Sequence, residues 1–129
     1  MERMRWASDQ PGGGAMTNGL YSIHVRLGDG RPEKGSGVVI MRDGTMRGGD
    51  AFLFYLGTYT TSGASLKGEV VINQHTPSPG EFPLFGGREV GIGFSGTSDG
   101  DRATIEGIAL VGRASLIFRA TLHRLANAG

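Results

Sequence analysis

Apolar residues recur at every second position over short runs along most of the chain, and a period of two is the mark of a half-buried β-strand. The clearest run sets Tyr21, Ile23, Val25 and Leu27 against Ser22, His24 and Arg26. A second, Gly37-Val38-Val39-Ile40-Met41, closes on Asp43-Gly44, a hairpin pair because both residue types tolerate positive φ. Thr45-Met46-Arg47 returns briefly, and Gly48-Gly49-Asp50 turns the chain into a third long run, Ala51–Thr60. Over Leu66–Gln74, Leu66, Val70 and Ile72 share one face, and Lys67, Glu69 and Asn73 share the other. Thr76–Gly87 contains three prolines and the Gly86-Gly87 pair, the composition of a long loop. Val90, Ile92 and Phe94 then alternate with Gly91, Gly93 and Ser95. Asp99-Gly100 turns the chain into Ala103–Leu110, and Gly112-Arg113 turns it into Leu116–Leu125.

This is a pattern of about eight strands with a turn signal roughly every ten residues, the spacing of a β-sandwich or an up-and-down barrel. Short links favour hairpin neighbours, hence a meander, and closure into a barrel removes edge strands. The expected fold is therefore all-β, an antiparallel up-and-down barrel of about eight strands. With 24 glycines in 129 residues, no long helical pattern survives. Val38–Met41, Phe52–Leu56 and Leu116–Phe118 are apolar in both phases, whereas a barrel strand needs only its inner face apolar. Covering the outer face of such strands calls for a second subunit or a packed loop; a homodimer is expected, with ordinary scattered exposure of apolar residues as the alternative.

Length and charge narrow the rest. A chain of 129 residues is one domain, and it can bury enough core to fold without staples. Residues 18–126 form the expected barrel. Met1–Thr17, with Pro11-Gly12-Gly13-Gly14, reads as a disordered leader, and 127–129 as a tail. Met16 is an alternative natural start. Cysteine is absent, which excludes disulfides and thiolate metal sites and fits a reducing compartment. A net charge of +1, with arginines scattered from Arg3 to Arg124, provides no basic stripe for nucleic acid or an anionic membrane. No apolar stretch approaches the roughly 18 residues of a membrane helix, and the N-terminus lacks the apolar run of a secretory signal.

Candidate chemistry is sparse. Gly91-Ile-Gly93-Phe-Ser-Gly96 spells G-x-G-x-x-G, but a strand rather than a helix follows it, so no helix N-terminus is present to hold a pyrophosphate. Those glycines are expected to relieve crowding inside a tightly curved strand. Ser95 misses the nucleophile elbow at its last position. His24, His75 and His123 lie on three elements without metal-ligand spacing. Glu69 and Glu106 sit mid-strand on polar phases, where pairing with arginine across strands is their ordinary role. The expectation is a protein without catalytic residues, metal or cofactor. Phe82, Leu84 and Phe85 in the long loop suggest a lid or a partner anchor, with tucking back onto the rim as the alternative.

Gly37-Val-Val-Ile-Met-Arg-Asp-Gly44-Thr-Met-Arg-Gly48-Gly49-Asp50, followed by Tyr55-x-Gly57-Thr-Tyr59, resembles the GrlR-like family of negative regulators of bacterial type III secretion. Asn18–Ile23 is similar to that family's opening strand, and the likeness extends to about Leu125 as a generic β-pattern. The resemblance implies a lipocalin-like barrel, a homodimer, and a cytoplasmic protein that binds and restrains a transcriptional activator. The family uses a short acidic surface run in that contact. Its nearest counterpart here is Asp99-Gly100-Asp101.

Two functions remain as expectations. One is a non-enzymatic regulatory module acting through protein contact, with Asp99, Asp101, Phe82, Leu84 and Phe85 as candidate partner residues. The other is a carrier or sensor of a small apolar ligand, since an eight-stranded barrel either fills with side chains or holds one small ligand. A filled interior favours the first, and an open apolar cavity favours the second.

Overall fold

The computed structural model describes residues 16–27, 35–77, 89–111 and 114–128. Phe82, Leu84 and Phe85, most of the expected leader, and most of the expected long loop lie outside the described residues. The rest is a closed barrel of eight strands, each hydrogen-bonded to its sequence neighbour, with the last pairing back to the first. In chain order they are β1 (Gly19–Leu27), β2 (Gly35–Arg42), β3 (Thr45–Gly49), β4 (Leu53–Ser62), β5 (Ser65–Gln74), β6 (Val90–Ser98), β7 (Arg102–Val111) and β8 (Ala114–Ala126). All eight pairings are antiparallel, and β1 closes the barrel on β8 by setting Ile23 against Leu122 and Val25 against Ala120. The expected all-β, eight-stranded, up-and-down barrel is the observed one.

Alternation along the strands becomes inside and outside. Tyr21, Ile23, Val39, Met41, Tyr55, Tyr59, Leu66, Val70, Ile72, Val90, Ile92, Phe94, Ile105, Phe118 and Leu122 are all buried in one core. The hairpin at Asp43-Gly44 has φ of 50° and 84°, both in the left-handed region, as its residue types foretell. Gly63 takes φ of 60° between β4 and β5. Strand β4 starts later than the expected Ala51, because the Asp50 carboxylate (Oδ1) accepts the N–H groups of Phe52 and Leu53, each at 2.8 Å, and holds those residues in a bend.

Filling the barrel sets a volume problem that glycine solves. One ring of inward positions runs across the ladder as Tyr59, Gly68, Phe94, Gly107, Phe118, alternating aromatic and glycine. A Cβ at Gly68 would lie 2.1 Å from the Thr58 carbonyl oxygen and 3.0 Å from Phe94 Cζ, so the ring of Phe94 uses that space. A Cβ at Gly96 would lie 2.0 Å from the Thr104 carbonyl oxygen. Interiors of small barrels use such large–small alternation, and glycine lets one strand bend against the next. Gly91 and Gly93 correct the crowding expectation: they face outward, and a Cβ on either meets nothing within 4 Å. Only Gly96 of that string relieves crowding.

The docked chain also begins earlier than the expected boundary. Met16 is buried in the core, and the Thr17 N–H donates to the Gly100 carbonyl at 3.0 Å.

Two stability measurements follow. Gly96→Val should destabilise the barrel by about 2 kcal/mol or more, because the added carbons overlap backbone. Gly91→Ala should leave it unchanged or raise it by about 0.4–1 kcal/mol. Urea unfolding of both variants checks the contrast. A chain beginning at Asn18 should lose about 2 kcal/mol through the lost burial of Met16, read as a lower urea midpoint than that of the chain beginning at Met1.

Candidate functional site

At one end of the barrel Gly37, Gly49, Asp50, Tyr55 and His75 build a corner. The Tyr55 hydroxyl donates to Asp50 Oδ2 at 3.1 Å, while Asp50 Oδ1 holds the β4 entry. His75 Nε2 lies 3.0 Å from the Asp50 carbonyl, which can only accept, so that nitrogen carries the proton; Nδ1 faces the Thr76 hydroxyl at 2.7 Å. A Cβ at Gly37 would come within 2.9 Å of the Tyr55 hydroxyl, and one at Gly49 within 2.4 Å of the Leu53 carbonyl oxygen. Burial and the adjacent Asp50 charge hold the Tyr55 hydroxyl well above the usual phenol range. Gly44 and Tyr59 meet at the opposite end, where the Tyr59 N–H donates to the Gly44 carbonyl at 2.9 Å. Gly48 and Gly57 face inward beside Val39 and Val70. These motif residues shape the β2–β4 sheet; none is presented as a reactive group.

The opposite end carries the acidic turn. Asp99 Oδ1 accepts the Arg102 N–H at 2.9 Å, so this carboxylate shapes the turn. Asp101 is exposed, with Arg124 Nη1 at 3.9 Å. Three further bonds fix the loop: the Tyr21 hydroxyl lies 2.9 Å from the Gly100 carbonyl and 2.5 Å from that of Thr17, and the Gly100 N–H donates to Ser98 Oγ at 3.0 Å. The turn therefore presents the exposed Asp101 carboxylate beside Arg124, next to Asp99, whose Oδ1 is engaged by the turn itself. Sequence reading missed the clamp from Tyr21, whose alternation marked it only as core.

Burial, followed by the negative charge of Asp101, pushes the Tyr21 hydroxyl up to about 12.

Inside, a space of about 20 Å³ lies among the core side chains Ile23, Tyr55, Ile105 and Phe118. That is about the volume one water molecule needs.

Outside, the apolar phase of the two-faced strands stays exposed. Val38, Ile40, Leu56, Val71, Ile108 and Ile117 all lie on the outer face, with Ile108 57% and Ile117 45% exposed. A trough of about 830 Å³ runs over β4–β8, floored by Gly93 and Ser95 and walled by Thr58, Thr60, Lys67 and Glu69 on one side and Glu106, Ile108 and Ile117 on the other. The outer surface of a closed barrel is convex, and this concavity exists because Gly93 has no side chain between its two walls. Glu106 pairs across strands with Arg119 at 2.7 Å, as its phase predicted, with both side chains more than half exposed, so the pair is worth at most about 1 kcal/mol. Ser95 stands mid-strand on this outer face, far from any strand-to-helix turn. His24 and His123 are exposed on the adjacent strands β1 and β8, and His75 belongs to the Asp50 corner. Among the described residues no three His, Cys, Asp or Glu side chains gather as a metal site, and no helix is long and apolar enough to cross a membrane.

The raised Tyr21 hydroxyl has a definite pH consequence. The folded barrel holds that proton more tightly than the unfolded chain, whose phenol titrates near 10. Its contribution is therefore complete below about pH 10 and lost as pH rises toward about 12. Unfolding free energy should fall across that window, and Tyr21→Phe should remove part of the fall, the rest coming from the raised Tyr55 and Tyr59, while lowering stability at pH 7 by about 1 kcal/mol; urea titrations at pH 7 and pH 11 give both quantities.

No protein-family model matches this chain, and no curated protein is similar to it at a significant level.

Proposed function

We propose that this chain is a non-enzymatic regulatory module that binds and restrains a protein partner, a transcriptional activator of type III secretion, through the outside of its barrel. One observation carries the reading: the described inward side chains pack into one core, while large apolar residues stand exposed on the outer face. A carrier of a small ligand needs an open interior, and the space among Ile23, Tyr55, Ile105 and Phe118, of about 20 Å³, accommodates one water. Contact chemistry lies instead on the outer surface, where Val38, Ile40, Leu56 and Val71 stand exposed on β2, β4 and β5. Exposed apolar residues grouped on a sheet face are the usual material of a partner interface.

The class of partner rests on the resemblance of Gly37–Tyr59 to the GrlR-like regulators. The Asp99–Asp101 turn adds a contact of the right kind for a partner with basic residues, raising on-rate more than affinity. Its exposed charges are worth about 0.2–1 kcal/mol each. The rigid clamp by Tyr21, Ser98 and Thr17 means that little ordering is lost when a partner docks there.

In the source cell, deleting the gene should raise transcription from type III secretion promoters, and extra copies should lower it. Leu56→Asp, on the outer face, should abolish the repression by extra copies without unfolding the barrel. The double change Asp99→Asn plus Asp101→Asn keeps the turn chemistry and should weaken repression only partly. Unchanged promoter output in both the deletion and the overexpressing strain would sink the reading. Full repression by the double variant would remove the turn from the contact.

A further inference from the structure

We infer that the outer face of β7, β8 and β1 binds an acidic peptide segment in extended conformation, with its carboxylates four residues apart. Arginines that look scattered along the chain meet on this face. In one row across the three strands, Glu106 stands opposite Arg119, and Arg119 opposite Arg26. Four residues along, Arg102 stands opposite His123, and His123 opposite Ser22. Between these rows, Thr104 stands opposite Thr121, and Thr121 opposite His24. All of these residues are exposed except Ser22, which is half-buried.

The charge gathered here exceeds that of the whole chain. Three arginines face one carboxylate, Glu106, among the described outward residues of these strands, whereas the full sequence carries only +1. His24 and His123 add to the excess when protonated. The aspartates of the turn before β7 are engaged there: Asp99 Oδ1 accepts the Arg102 N–H, and Asp101 lies beside Arg124. The fold itself does not account for the arrangement. Like charges directly opposite across antiparallel strands destabilise a sheet, and Arg26 with Arg119 is such a pair. Glu106 offsets it from one side, through Arg119 Nε at 2.7 Å. That bond uses one of the five N–H donors of an arginine side chain.

Spacing selects the occupant. An extended chain rises about 3.3 Å per residue and turns successive side chains to opposite sides, so carboxylates at its first and fifth positions point the same way, about 13 Å apart. Arg119 and His123 are separated equally on β8, for the same reason. One carboxylate then meets Arg26 and Arg119, and the other meets Arg102 and His123. The residue midway lies over Thr104 and Thr121. Guanidinium groups match carboxylates in bidentate geometry. An extended peptide needs only a strip along one strand, which the convex wall of a barrel offers. Single-stranded nucleic acid fits less well, because the described outward residues of this face include no aromatic side chain for bases to stack on. The face is separate from that of Val38, Ile40, Leu56 and Val71, and the inference does not rest on the restraint reading, so either can fail without the other.

The probe is the peptide Glu-Gly-Ser-Gly-Glu with blocked ends, titrated into the isotope-labelled full chain and followed by amide NMR shifts. Shifts should concentrate on β7, β8 and β1 and shrink as salt is raised. Glutamine in place of both peptide glutamates should abolish them. Moving the second glutamate to the fourth position sets the carboxylates on opposite sides and should weaken binding. In the protein, Arg26→Ser plus Arg102→Ser should weaken binding about tenfold, in the range for losing two exposed ion pairs. Its melting temperature should be no lower than the parent's, because both side chains point to solvent. No shift at millimolar peptide overturns the proposal, as do shifts centred on another face or a double variant that binds as tightly as the parent. Equal binding of the fourth-position peptide overturns the extended register. A single-stranded oligonucleotide that shifts the same amides at lower concentration than the peptide overturns the occupant.

Discussion

Neighbouring strands of this barrel approach so closely on the inside that a single Cβ decides whether the wall can close. The ring Tyr59–Gly68–Phe94–Gly107–Phe118 shows the constraint at its tightest. Three aromatic side chains share one level of the interior because the positions between them hold no side chain. Next to it, Leu66–Gly96–Ile105–Ala120 repeats the device with aliphatic side chains. An eight-stranded barrel is just wide enough for its own side chains, so enlarging any one small position forces backbone apart rather than filling a void. The close packing of the described core follows from this alternation.

The ends of the barrel are fixed by polar bonds rather than by volume. Asp50 bends the chain into β4 and receives the Tyr55 hydroxyl. Tyr21 ties the first described residues to the Gly100 turn. Each of these tyrosines places its ring in the core and its hydroxyl at the rim, where backbone or carboxylate oxygens accept it, as a buried tyrosine hydroxyl requires. Asp50, Tyr55, Gly37 and Gly49 thus shape one corner of the sheet.

On the outside the same glycine residue type has the opposite meaning. Inward glycines are dictated by the barrel, whereas Gly91 and Gly93 face open space, and Gly93 floors a trough that the barrel itself does not need. The distinction matters for any reading of a glycine-rich strand. In Gly91-Ile-Gly93-Phe-Ser-Gly96, two positions of identical composition to the third stand on a different face and answer to different surroundings.

Local pattern was enough to determine the strands, their inward phases and the hairpin at Asp43-Gly44, because period-two burial and turn chemistry act over a few residues. It also marked Glu106 for a cross-strand cation and left Val38, Leu56 and Ile117 as apolar residues without an inner-face duty. What it could not determine depends on residues far apart in the chain. The Tyr21 hydroxyl bond to Gly100 spans 79 residues, and nothing near Tyr21 announces it. Whether an eight-stranded interior is filled or hollow depends on which side chains meet across every strand at one level, and so does whether a glycine faces crowding or open solvent. Those are properties of ladder register and closure, which only the tertiary structure decided.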